Sequence, residues 1–160
     1  MPRIISCPAM PACEEMPMID QCRRFFDDTD LALESTLNHD HRGARYRVSL
    51  AAGSGDGWME VRQVYGGLAI GRSDYLLARP DQNTFSNYET PLGFSLLLSG
   101  GFAMNIPAIG LDARVCPGQM WIRRGPYEML RYTAPAGKVI RGVALDLSPE
   151  MIEAWRNEAP

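Results

Sequence analysis

Short apolar runs separated by glycine, proline and asparagine fill the second half of this chain. The runs are Phe94–Leu98, Phe102–Ile106, Met120–Ile122, Met129–Thr133 and Val139–Leu147. Their spacing, roughly 8–12 residues, is that of an all-β sandwich or barrel. None is long enough to be a well-developed amphipathic helix. Upstream, Trp58–Tyr65 and Leu68–Leu77 flank Gly66-Gly67, a hairpin turn signal. Tyr46–Ala51 reads as a first strand, Gly53–Gly57 as a break and Arg79–Asn83 as a loop. Two stretches differ. Ser148–Trp155 predicts a helix, with Ser148 as N-cap, Pro149 at the first helical position and acidic residues in the first turn. Ile19–Leu37 is weakly helical, as one helix broken near Asp27–Asp30 or as two short ones.

This pattern divides the chain into a flexible arm (1–18), a helical or irregular N-terminal extension (19–57), a β-barrel (58–147) and the start of a C-terminal helix (148–160). Alternation then assigns faces. Phe102, Met104 and Ile106 share one face, Met120 and Ile122 another, and Val139, Val143, Leu145 and Leu147 a third with Arg141 among them. The strand from Tyr127 to Thr133 is open. Tyr127, Met129 and Arg131 alternate with Glu128, Leu130 and Tyr132, and each set mixes charge with an aromatic ring.

Composition is that of an ordinary globular protein, 46% hydrophobic and 22% charged. The formal net charge of −3 argues against nucleic-acid binding by this chain itself, since a phosphate-contacting surface needs clustered Lys and Arg. Arg123-Arg124 with Arg131 is the nearest basic patch. Cys7, Cys13, Cys22 and Cys116 fit no CxxC or zinc-finger spacing and read as reduced thiols in the cytoplasm. The first residues lack the continuous apolar core of a signal peptide, and no window approaches a membrane span.

Candidate chemistry is sparse. His39 and His41, two apart, could meet one ion from a strand, but Arg42 and Arg45 would repel it and no carboxylate is usefully spaced, so a polar loop is expected. The glycines at 53–57 lack the spacing and the Lys-Ser or Lys-Thr of a phosphate loop. Cys116 precedes Pro117 with no local activating group. Asp74, Glu128 and Asp146 could form acid–base pairs only if the fold brings them together.

The order of these elements resembles the N-terminal regulatory domain of AraC/XylS-type transcription regulators, in the pyochelin-regulator branch. The resemblance lies in the strand ending Leu98-Ser99-Gly100, the Pro117-Gly118 turn, the Gly125-Pro126 turn, the mixed strand ending near Tyr132, and the strand Val139–Leu147 running into a helix. It covers about residues 58–156. It implies a mainly β, cupin-like jelly roll or barrel, with a short helical segment before it and a helix after it. It also implies a homodimer through that C-terminal helix, a small-molecule effector such as a ferric siderophore, and DNA contact only through a helix-turn-helix domain that this chain does not contain. The chain is accordingly expected to be a detached or truncated part of a longer regulator. Metal-binding cupins use three His and one Glu. With no His in the barrel region, and Glu128 near the place of the third, no metal, no cofactor and no enzyme activity are expected.

The expected ligand site comprises Phe94, Leu96, Met104, Trp121, Tyr127, Arg131 and Tyr132. The aromatic rings would stack on a planar ligand, and Arg131 would pair with a carboxylate or with a ferric complex's negative charge. Two rivals stay open: a ligand-free dimerisation module, with Met151, Ile152 and Trp155 on one side of the helix, and a cupin enzyme.

Overall fold

A computed structural model describes residues 17–64, 67–88 and 92–158. Helix α1 (Pro17–Asp27) is followed by β1 (Leu33–Asp40), β2 (Gly43–Leu50), β3 (Gly55–Val64), β4 (Leu68–Leu77), β5 (Asp81–Tyr88), β6 (Leu92–Ser99) and β7 (Phe102–Ile106). A single 3-10 turn leads to β8 (Leu111–Val115), β9 (Met120–Arg123), β10 (Tyr127–Ala134), β11 (Val139–Leu147) and helix α2 (Pro149–Glu158). The strands form a seven-stranded sheet, in the order β1-β2-β3-β4-β11-β6-β9, and a four-stranded sheet, in the order β5-β10-β7-β8. Every strand pairing among the described residues is antiparallel, and from β4 onward the chain passes repeatedly between the two sheets. Two facing antiparallel sheets wound this way make a jelly roll. The fold is mainly β and cupin-like, with a short N-terminal helix and a C-terminal helix.

The main core lies between the sheets: Tyr75, Leu77, Phe85, Leu97, Met104, Ile106, Val115, Leu130 and Ile140 are buried there. Burying each large apolar side chain is worth about 1.5–3 kcal/mol. A second cluster seats α1. Its Ile19 and Phe26 pack on Ala44, Tyr46 and Val48 of β2. The Gln63 side-chain oxygen accepts a hydrogen bond from the Ile19 N–H at 3.2 Å, satisfying a donor that has no partner within the helix. Gly43, at φ +146°, closes the β1–β2 hairpin, and a Cβ there would lie 2.0 Å from the Gln63 carbonyl oxygen.

The predicted strands from Leu68, Phe102 and Val139 match β4, β7 and β11 to the residue. The Ser148 cap is also present, its hydroxyl oxygen accepting the Met151 N–H at 3.2 Å. Other expectations are corrected. The helical reading of Ile19–Leu37 stops at Asp27, and β1 follows, carrying His39 on its strand. β1 is an edge strand exposed along nearly its whole length, so no buried alternation marks it. β3 begins at Gly55, inside the expected break, and β5 begins at Asp81, inside the expected loop. Alternation named which residues share a face but not which face is inner, and the structure decides that. Val139, Val143 and Leu145 are 42–43% exposed, and Met120 and Ile122 are more than 60% exposed, whereas Leu147 is buried. The inner side of β11 carries Ile140, Gly142 and Ala144 instead. Residues 1–16 of the arm expected over 1–18, with Gly66 and Pro91, lie outside the described residues, and the arm's last two, Pro17 and Met18, belong to α1.

Candidate functional site: a cavity between the sheets

Small residues on one wall leave the space that large ones on the other do not fill. Gly71 and Ser73 of β4, Gly142 and Ala144 of β11 and Ser95 of β6 line a cavity of about 260 Å³. Facing them from the four-stranded sheet are Phe102, Met104, Leu130 and Tyr132, with Trp121 of β9 beside Ser95 and Phe25 of α1 over one side. Phe25 is stacked on Phe85, ring centroids 4.1 Å apart and planes 10° from parallel. A second cavity of about 200 Å³ lies toward α1, against Phe26, Leu31 and Asp81. Phe25, Met59, Ser73, Tyr75 and Tyr132 border both.

The shared wall holds the main hydrogen-bonding device. The hydroxyls of Tyr75 and Tyr132 are 3.0 Å apart. One O–H is spent on that bond, which leaves the pair one further O–H and several lone pairs to offer. Burial pushes the Tyr75 hydroxyl up to about 12, and burial together with the neighbouring Tyr75 raises Tyr132 well above its ordinary value. Both stay neutral at physiological pH. The cavity wall also includes Arg123, whose Nη2 is 2.9 Å from Asp146 Oδ1. Burial raises the Asp146 carboxyl, and the Arg123 charge and hydrogen bond pull against that rise. Burial, with Asp146 nearby, pushes the Cys22 thiol up to about 12, so that sulfur stays a protonated thiol.

Of the seven residues expected at the site, Met104, Trp121 and Tyr132 border the cavity, and Leu96 touches it while register with Met120 and Val143 puts its side chain on the outer face. Trp121 faces it because its strand neighbours Met120 and Ile122 are exposed. Phe94, Tyr127 and Arg131 are not brought there. Tyr127 accepts the Arg124 N–H on its hydroxyl oxygen at 3.0 Å, and Arg131 is exposed, paired in register with Thr84 and Asn105. Sequence reasoning passed over Phe25, Tyr75, Phe102 and Arg123. For Tyr75 a signal existed: Gly71, Ser73 and Tyr75 share one face of β4 by simple alternation.

Cupin-type metal centres need several imidazoles, and the cavity residues do not fit one. No histidine lines it, and the Asp146 carboxylate beside Arg123 is already ion-paired. Among the described residues no three His, Cys, Asp or Glu side chains are grouped to hold a metal ion. His39 is exposed near the end of β1, and His41, in the turn, accepts a hydrogen bond from Arg42 Nε at 3.2 Å.

No protein-family model and no curated protein matches this sequence. Solved structures do resemble it. The cupin domain of Schizosaccharomyces pombe Cnp3 has a TM-score of 0.46 at 10% identity, over 82% of this chain and 96% of that one. FeII HppE in complex with substrate has a TM-score of 0.39 at 17% identity, over 51% of this chain; the match spans just under half, 47%, of the HppE chain. A Vibrio cholerae HTH_3 family transcriptional regulator has a TM-score of 0.41 at 12% identity, over 57% of this chain and 51% of that one. HppE overturns one expectation. Its structure was solved with a substrate, so a cupin-like fold can be enzymatic, and the exclusion of enzyme activity made from sequence does not stand. Among the described residues no helix is long and apolar enough to cross a membrane.

Proposed function

We propose that this chain is a small-molecule-binding cupin-like domain that senses its ligand in the cavity between the sheets. The observation that carries this reading is the cavity itself: about 260 Å³, walled by aromatic and aliphatic side chains, with the Tyr75–Tyr132 hydroxyl pair set into it. Met104, Trp121 and Tyr132 are the ligand contacts among the residues expected from sequence. Phe25, Tyr75 and Phe102 join them.

The walls favour a neutral ligand. Arg123 already faces Asp146, so an entering charge would lose its hydration with little to replace it. The volume favours a molecule on the order of ten heavy atoms, scaling from a 150 Å³ cavity that takes benzene. A single ring bearing one hydroxyl or carbonyl meets both conditions, with that group on the tyrosine pair. A ferric siderophore is larger and charged, and Arg131 lies away from the cavity.

The finer reading, a cytoplasmic effector domain of an AraC-type regulator, rests on the order of turns and strands between residues 58 and 156. In it, residues 58–147 hold the ligand, and α2 carries dimerisation toward a DNA-reading domain. Ligand binding would act by favouring one of two arrangements of α1 and α2.

Trp121 is the tryptophan that borders the cavity, while Trp58 and Trp155 lie elsewhere. With Trp58 and Trp155 changed to Phe, titration with small neutral phenols and aromatic ketones should quench or shift the remaining emission. Recovering each compound afterwards separates sensing from turnover. A flat signal across the panel sinks the reading.

A further inference from the structure

The outer face of the seven-stranded sheet has two unlike halves. Register places Ile122, Phe94, Leu145 and Ile70 in one row across β9, β6, β11 and β4. Met120, Leu96 and Val143 form the next row, which then reaches Arg72 on β4 and Glu60 on β3. The first half is therefore a continuous apolar stripe, with Met120 65%, Ile122 63%, Val143 42% and Leu145 43% exposed. Contiguous exposed apolar surface of this kind marks an interaction site. The second half is cationic. Arg45, Arg47 and Arg72 converge on Glu60, which is only 5% exposed. Three guanidiniums on one carboxylate leave two positive charges in excess, and Arg47 and Arg72 also lie over the Trp58 ring at 4.3 and 5.7 Å.

Helix α2 is complementary to this face. None of its residues is buried, and Trp155 is 57% exposed. At 100° per residue, Met151, Ile152 and Trp155 fall within about 100° of one another. Glu150 and Glu158 lie on one side of that stripe, and Arg156 lies on the other, paired with Glu153 at 2.8 Å. The two remaining carboxylates match the two excess positive charges of the arginine cluster. Lengths match as well. Ten helical residues span about 15 Å, and the stripe from β9 to β4 crosses three strand spacings, about 14 Å.

We propose that two copies of this chain associate reciprocally. The α2 helix of each lies on the apolar half of the other's outer sheet face, with its acidic side against the other's Arg45, Arg47 and Arg72. This is a helix-on-sheet dimer with two equivalent contacts, unlike a pairing of twin helices, and it does not depend on the ligand.

Sedimentation velocity of the full chain over a range of concentrations tests it, with Leu145→Asp breaking the face and Trp155→Ala breaking the helix. Each variant alone should shift the monomer–dimer midpoint at least tenfold toward monomer. Mixing the two should restore association, because one intact helix then meets one intact face. High salt should weaken the wild-type dimer, as should Arg72→Glu. Circular dichroism confirms folding, and Val143→Lys replaces Leu145→Asp if that variant unfolds. A wild type that stays monomeric overturns the proposal. So does loss of association in only one of the two variants: with Trp155→Ala alone, twin helices pair, and with Leu145→Asp alone, faces pair. A mixture that associates no better than its components overturns it too.

Discussion

The two sides of β11 invert the usual distribution of side chains. Its outer side carries Val139, Val143 and Leu145, all more than 40% exposed, while its inner side carries Gly142 and Ala144 against a cavity. Hydrophobicity in this strand is therefore divided between two tasks. Inside, smallness leaves room. A Cβ at Gly142 would come within 3.1 Å of the Leu96 carbonyl oxygen, and one at Gly71 within 3.3 Å of the Ala144 Cβ. Outside, bulk covers a surface that nothing else in the described residues covers. A strand that only filled a core would have the reverse arrangement.

The sharpest break of that comparison is a pair of truncations one residue apart. Ile140→Ala, on the inner side and 3% exposed, should cost about 2–5 kcal/mol. Val139→Ala, on the outer side, should stay within about 0.5 kcal/mol. Urea denaturation of both variants measures the difference, and equal losses would mean the assigned faces are wrong.

The carboxylates extend the contrast to charge. Burial pulls the Glu60 carboxyl up, but hydrogen bonds from Arg72 and Arg45 and their charges outweigh it, so its pKa lies below the ordinary value. Its stabilisation is complete above about pH 4.3 and is lost as pH falls through the lowered value. Asp146, raised by burial, works the other way: the fold loses stability as pH rises from the ordinary carboxylate value through the raised one. Glu60→Gln should cost about 1–3 kcal/mol at pH 7, between the surface and buried ion-pair ranges, and should remove the acid-side loss. Asp146→Asn should remove the opposing slope. Melting temperatures between pH 3 and pH 7 read both.

A smaller effect is expected where the two cavities meet. Tyr132→Phe deletes the partner of the Tyr75 hydroxyl and should cost about 1 kcal/mol. It should also weaken a hydroxyl- or carbonyl-bearing ligand by about tenfold, while leaving an apolar ring of the same size unaffected. Ala144→Leu should change stability by no more than about 1.5 kcal/mol in either direction, because the added bulk enters empty space. That variant should nonetheless abolish the fluorescence response to every ligand. An unchanged response would place binding outside the cavity.

How much of this was legible beforehand depended on how local the cause is. Glycine and proline punctuation around short apolar-rich runs marked β4, β7 and β11, because turn chemistry acts within a few residues. The Ser148 cap was readable for the same reason, as it acts on an N–H three positions on. β1 was not, because an exposed edge strand has no buried face to imprint an alternation. The cavity was half legible. Met104, Trp121 and Tyr132 stood out as large side chains among strands, whereas Gly71, Gly142 and Ala144 did not, since the contribution of a small residue is an absence.

The amino-acid order by itself determined a mainly β architecture, most strand positions and the capped final helix, because each follows from interactions between near neighbours in the chain. Which side of β11 is inner, the meeting of Tyr75 with Tyr132 and the gathering of three arginines on Glu60 were decided only by tertiary structure. In those cases the partners come from different strands, and alternation fixes that two faces differ without saying which one the second sheet will cover.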